Sequence, residues 1–85
     1  MISINYFSAQ WCGPCKMFSP IMEVVAGELN IPINKIDVDQ NKDMAEAYNV
    51  RSVPTLVLIK DGIPVNRHTG IMSKGQLEQF IKVNS

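Results

Sequence analysis

The chain has two cysteines, Cys12 and Cys15, separated only by Gly13 and Pro14 and preceded by Trp11. That spacing suits two chemistries, reversible disulfide formation and metal ligation. A closed zinc site needs about four ligands, usually Cys or His, and the chain adds only His68 to the pair. No metal site is expected on that count. Two ordinary core cysteines fit poorly with an intervening Gly-Pro and an adjacent tryptophan, which suit an exposed turn. Redox chemistry remains. At a helix N-terminus, Cys12 would face unpaired backbone N–H groups and the positive end of the helix dipole, and both favour thiolate over thiol. Such settings lower a cysteine pKa from about 8.5 to roughly 3.5–7.5. Cys12 is then the exposed nucleophile that attacks a substrate disulfide, and Cys15, one turn deeper, attacks the mixed disulfide and releases the reduced substrate.

The flanking sequence supplies the elements that this geometry needs. Ile2 to Phe7 alternates and then closes on two aromatics, which reads as a strand leading into the cysteines. From Pro14 onward, Met17, Phe18, Ile21, Met22, Val25 and Leu29 recur at three- and four-residue spacing, the mark of a helix with one buried face. Pro14 suits the first turn, whereas Pro20 lies mid-helix, where a kink is expected. Ile33 to Val38 reads as a second strand, with Ile36 and Val38 on one face and Lys35 and Asp37 on the other. Asn41 or Asp43 can cap a short helix through Met44, Ala45, Ala47 and Tyr48. Thr55 to Ile59 is a continuous apolar run suited to a central strand. Asp61-Gly62 then predicts a hairpin into an alternating strand at Ile63, Val65, Arg67 and Thr69. Ser73 and Gln76 have capping-box spacing ahead of a last helix carrying Leu77, Phe80 and Ile81. Strand, helix, strand, helix, strand, strand, helix fits an α/β fold with a four-stranded mixed sheet flanked by helices.

Composition narrows the functional classes. Eighty-five residues, 46% of them hydrophobic, allow one domain over residues 1–85. The formal net charge is zero and the charges are scattered, so neither nucleic-acid nor membrane-surface binding is expected. No apolar run approaches the ~20 residues of a spanning helix, and the start is too short and too alternating for a signal-peptide core. The expected location is the cytoplasm. His68 stands without a motif around it and reads as an ordinary surface side chain.

With these residues in view, the chain resembles the thioredoxin family along nearly its whole length. The resemblance rests on Trp11-Cys12-Gly13-Pro14-Cys15-Lys16, Pro20, the strand around Lys35 to Asp39, Val53-Pro54-Thr55, Gly62, Gly70, and Ser73 to Leu77. It implies a thioredoxin-like fold lacking the family's extra N-terminal strand and helix, so that the strand at Ile33 to Val38 lies on a sheet edge. It implies a cis bond before Pro54, which composition would not supply. Trp11, Gly13, Pro14, Val53, Pro54 and Gly70 would then form a shallow surface that docks protein disulfides by main-chain pairing. The implied activity is a monomeric protein disulfide reductase with no cofactor of its own, re-reduced by a thioredoxin reductase, an NADPH-dependent flavoenzyme. Two alternatives stand beside it: a glutathione-driven, glutaredoxin-like oxidoreductase, and an interaction subunit using the fold without its redox chemistry. One departure bears on mechanism. The family's buried aspartate, six residues before the first cysteine, is here Tyr6. Lys35, which normally neighbours that acid in a supporting role, needs another partner or water; Asp37, two residues along on the same face, is one candidate, and a solvated lysine at the sheet edge is the expected outcome.

Overall fold

A computed structural model describes all 85 residues. The elements run β1 (Ile2–Ser8), α1 (Gly13–Leu29), β2 (Ile33–Asp37), α2 (Lys42–Ala47), β3 (Thr55–Lys60), β4 (Ile63–Thr69) and α3 (Lys74–Val83). The sheet order is β2-β1-β3-β4. β1 pairs in parallel with β2 and antiparallel with β3, and β3 pairs antiparallel with β4. The expected mixed four-stranded sheet is present, with β2 on an edge. β1 lies inside the sheet, so the segment after Ser8 starts from a strand held on both sides.

The register sorts side chains onto two faces. Tyr6 stands opposite Lys35 of β2 and Leu56 of β3. One face carries Ile4, Tyr6, Leu56 and Leu58, which pack with Phe18, Met22 and Val25 of α1 and Leu77 and Ile81 of α3. This is the larger core, and full burial of each such aliphatic side chain is worth about 1.5–3 kcal/mol. The other face carries Phe7, Ile36, Val57 and Ile59, against which Met44 of α2 and Tyr48 pack. α1 is fastened to the sheet because its apolar positions recur on one stripe, and it continues through Pro20. It stops at Asn30, which takes a left-handed conformation (φ 60°) and returns its N–H to the carbonyls of Ala26 and Gly27. Asp61 and Gly62 both have positive φ, 53° and 83°, as a type I′ hairpin turn requires. Ser73 and Gln76 form the expected reciprocal capping box at α3.

Three details differ from expectation. Asn41 occupies the cap position of α2 without a side-chain cap bond; its amide is committed to the Asp37 carbonyl at 3.0 Å. β4 alternates in sequence but is exposed along most of its length, because it is the outermost strand and its pairing with β3 is interrupted between Leu58 and Ile59. His68 is half-buried, edge-on to Phe80 with ring centroids 6.0 Å apart. No helix is long and apolar enough to cross a membrane.

Candidate active site

β1 ends at Ser8, and a tight turn brings the Cys12 N–H to the Ala9 carbonyl at 3.2 Å. The next residues open α1. Cys12 is its N-cap, in extended conformation (φ −85°, ψ 106°), with Gly13 and Pro14 filling the first helical positions. Pro14 removes an N–H that would have no intrahelical acceptor in any case. The Cys12 sulfur accepts the Cys15 N–H at 3.2 Å. Sulfur therefore takes the place that a serine or aspartate oxygen takes at most N-caps, satisfying a first-turn donor. Cys12 and Cys15 are bonded as a disulfide, with Cα atoms 5.3 Å apart.

The expectation of an exposed Cys12 is not met in this oxidised form. Cys12 is 3% and Cys15 2% exposed, because both pack with Ala9 against Val38 and Val53. Exposure belongs to the neighbours: Trp11 is 70% exposed, and Gly13 and Pro14 are open to solvent. The Trp11 indole N–H donates to Asp39 Oδ2 at 2.8 Å, which holds the ring at the rim. Between Trp11 and Val53 lies a small cavity of about 90 Å³, also lined by Val38, Val50, Arg51 and Ser52.

The loop across from the cysteines is tied down residue by residue. The Val53–Pro54 bond is cis, as the resemblance implies. Thr55, buried, donates its hydroxyl to the Ser52 carbonyl at 2.7 Å and lies 3.1 Å from the Thr69 hydroxyl. Gly70, at φ 102°, donates its N–H to the Pro54 carbonyl at 2.8 Å. Neither backbone group of Val53 has a partner within the chain. The structure thus gathers Trp11, Cys12, Gly13, Pro14, Cys15, Val53, Pro54 and Gly70 around the C-terminal end of β1 and the start of α1.

Lys35 is not part of that assembly. It stands beside Tyr6 on the sheet, and its ammonium pairs with Glu23 of α1. The candidate partner Asp37 is engaged elsewhere: its carboxylate accepts the N–H groups of Asp39, at 2.8 Å, and Gln40, at 3.3 Å, and so shapes the turn after β2. The Lys35–Glu23 pair is more than half exposed on the lysine side, and such pairs contribute at most about 1 kcal/mol. Tyr6 lies where the resemblance places a buried acid. It is 1% exposed, its ring meets Phe18 edge-on, and its hydroxyl sits 2.9 Å from the Ser19 hydroxyl. Burial pushes its pKa up, partly offset by the Ser19 hydrogen bond.

Sequence reasoning overlooked two site residues, Asp39 and Ser19. Asp39 had a signal in the parallel crossover, which brings the ends of β1 and β2 to the same edge of the sheet. Ser19 stands one helical turn after Cys15, so the two share a helix face.

A cysteine pair capping a helix that springs from the central parallel strand of a mixed sheet, facing a cis-proline loop, defines a protein of thiol–disulfide exchange. The comparisons agree. The family model described as Thioredoxin matches residues 2–83. A thioredoxin of Chlamydia trachomatis is 45% identical over 82 residues, covering 95% of this chain and 79% of the relative. One of Staphylococcus saprophyticus is 44% identical over 83 residues, covering 95% and 80%. Among solved structures, a thioredoxin variant from Halobacterium salinarum superposes with a TM-score of 0.92 at 41% identity, covering 98% of this chain and 74% of that one. Fasciola hepatica thioredoxin gives 0.90 at 39% identity, covering 99% and 81%. The chain belongs to the thioredoxin family. It is a thiol–disulfide oxidoreductase whose substrates are protein disulfides.

Proposed function

We propose that residues 1–85 act as one monomeric domain, a cytoplasmic protein disulfide reductase in which Cys12 is the nucleophile and Cys15 the resolving thiol. The observation that carries the assignment is the N-cap position of the Cys12 sulfur, which accepts the Cys15 N–H. In the dithiol form the same N–H and the helix dipole favour negative charge on Cys12. Cys15, inside the first turn, has no such place at the helix end. Cys12 thiolate attacks a substrate disulfide, one substrate sulfur leaves, and Cys15 then displaces the other, closing the disulfide seen here.

Docking is by the rim. The free N–H and C=O of Val53 offer an extended substrate segment two main-chain hydrogen bonds. Trp11 and the small cavity beside Val53 supply apolar contact. A monomer fits the two sheet edges, which carry Lys35 and Asp37 on β2 and Arg67 on β4, charges that discourage edge pairing. Re-reduction is assigned to a thioredoxin reductase drawing on NADPH, and turnover with that system beside glutathione tests the assignment. Faster turnover with glutathione would favour the glutaredoxin-like alternative.

The division of roles is tested by limiting iodoacetamide on the reduced protein followed by mass mapping. Label is expected on Cys12; label on Cys15 reverses the roles. Cys15→Ser should accumulate a mixed disulfide on Cys12, and a variant that accumulates none contradicts the two-step route.

A further inference from the structure

Beneath Cys15 lies a pair of hydroxyls that the proposed chemistry does not use. Ser19 Oγ donates to the Cys15 carbonyl at 2.7 Å. Tyr6 Oη is 2.9 Å from Ser19 Oγ and 3.4 Å from the same carbonyl. Each hydroxyl has one proton. Since the Ser19 proton is committed to the carbonyl, the Tyr6 proton goes to Ser19 Oγ, and the two form a chain from the sheet through Ser19 to the backbone of Cys15.

The position of that chain in α1 gives it a purpose. Pro20 follows Ser19 and has no N–H, so the carbonyl of Lys16 loses its intrahelical donor and α1 is weakest just below the cysteines. Bracing the neighbouring carbonyl at Cys15 from the central strand compensates at that point. A helical serine commonly bonds its i−4 carbonyl; what is particular here is that this carbonyl belongs to a site residue and that a tyrosine from the central strand joins the same pair.

We propose that Tyr6 and Ser19 are positioning residues for Cys15, holding its backbone so that its sulfur meets the Cys12–substrate disulfide. The proposal rests on the roles assigned above. In the step concerned, the Cys15 thiol releases its proton to solvent and its thiolate attacks Cys12 Sγ of the mixed disulfide. The Cys12–Cys15 bond forms, the Cys12–substrate bond breaks, and the substrate thiolate leaves and takes a proton. The dithiol has then given up two electrons and the substrate disulfide has gained them.

The test uses glutathione disulfide as the probe, with the reduced protein, Ser19→Ala, Ser19→Thr and Tyr6→Phe/Ser19→Ala. Rapid quench separates adduct formation on Cys12 from its resolution, and redox-buffer equilibration gives the constant for closing the disulfide. Ser19→Ala should resolve the adduct about fivefold more slowly with adduct formation unchanged, and its closing constant should fall by a similar factor, ~20 mV toward a more oxidising pair. Ser19→Thr should restore both, because a helical threonine hydroxyl still reaches the i−4 carbonyl. The double variant should be at least as slow as Ser19→Ala, because it also removes the longer direct contact of Tyr6 with the Cys15 carbonyl; a double variant that resolves faster than Ser19→Ala overturns the part assigned to Tyr6. A Ser19→Ala protein with the parent's resolution rate and closing constant overturns the proposal, as does a Ser19→Thr protein no better than Ser19→Ala. A parent adduct found on Cys15 instead overturns the roles. The closing constant does not depend on the roles, and in that event it decides the positioning proposal by itself.

Discussion

The two faces of the sheet solve the same problem differently. On the face toward α1 and α3, the strand residues Ile4, Tyr6, Leu56 and Leu58 are sealed under two helices. The only polar atom introduced from the sheet among them, the Tyr6 hydroxyl, is partnered by Ser19. On the face toward α2, a six-residue helix covers the apolar set of Phe7, Ile36, Val57 and Ile59. Both buried polar residues of the protein, Asn5 and Thr55, lie on this face. Asn5 donates to the Tyr48 hydroxyl at 3.2 Å and accepts from the Asn34 amide at 3.0 Å. Arg67, opposite Val57 in register, donates to the carbonyls of Tyr48 and Asn49 just after α2, where a cation also suits the negative helix end. The first face is the more completely sealed, and the helix that carries the cysteines packs on it. The second is held by polar side chains that tolerate nearby water.

The comparison is broken or upheld most sharply by two neighbours on β3. Leu58 is fully buried on the first face and Ile59 is 9% exposed on the second. Both truncations to alanine fall in the ~2–5 kcal/mol range for large-to-small core changes, and the cost within that range depends on how well the site can relax. Leu58→Ala should lie near the top, about 4–5 kcal/mol, and Ile59→Ala near the bottom, about 2 kcal/mol, where water and mobile neighbours can fill the gap. Urea unfolding of the two variants measures the difference. Equal costs would show that the faces are equally closed.

Next in size is the polar bridge. Asn5→Ala should cost about 1 kcal/mol, the net worth of a hydrogen-bonded group whose partners can turn to water. Asn34 is exposed and Tyr48 half-buried, so neither is left stranded. A loss approaching that of Leu58→Ala would mean that the second face is as dry as the first.

The same contrast explains what could be read from the residues. The helical spacing of Phe18, Met22 and Val25 and the apolar run from Thr55 to Ile59 place the first core directly, since period and burial agree there. The cysteine pair with its Gly-Pro was legible for a related reason: an N-cap needs a side-chain acceptor at one fixed position, and the helix period locates it. Lys35 shows where such reading ends. Alternation assigns its face correctly, but its partner Glu23 lies on α1, and nothing in a strand's own sequence says which helix side chain crosses above it. The Tyr6–Ser19–Cys15 contact was hidden in the same way, because it depends on the height of α1 over β1. Asn41 failed as a side-chain cap because its amide is committed to the Asp37 carbonyl at the end of β2, a contact that the helix's own sequence does not announce.

The smallest effect tests the dryness of the first face through its one buried ionisable group. Burial raises the pKa of Tyr6 above its ordinary value of 10.0, and the Ser19 hydrogen bond opposes that rise without cancelling it. The folded protein therefore holds this proton more tightly than the unfolded chain, and where the folded state binds more protons, stability falls as pH rises. The contribution is fully present below the unfolded pKa and is lost as pH rises through the folded one. Urea unfolding of the oxidised protein between neutral pH and the alkaline range should show a declining limb that is shallower in Tyr6→Phe, the phenylalanine having nothing to ionise. When Tyr6 ionises, Ser19 turns its proton from the Cys15 carbonyl to the phenolate and so favours the charged form; in Ser19→Ala that donor is gone, and tyrosinate should appear at still higher pH than in the parent, as followed by near-ultraviolet absorbance. A Tyr6→Phe profile that superimposes on the parent's, or a Ser19→Ala tyrosinate appearing at lower pH, would mean that water reaches the hydroxyl. The face beneath the cysteines would then be no drier than the face toward α2.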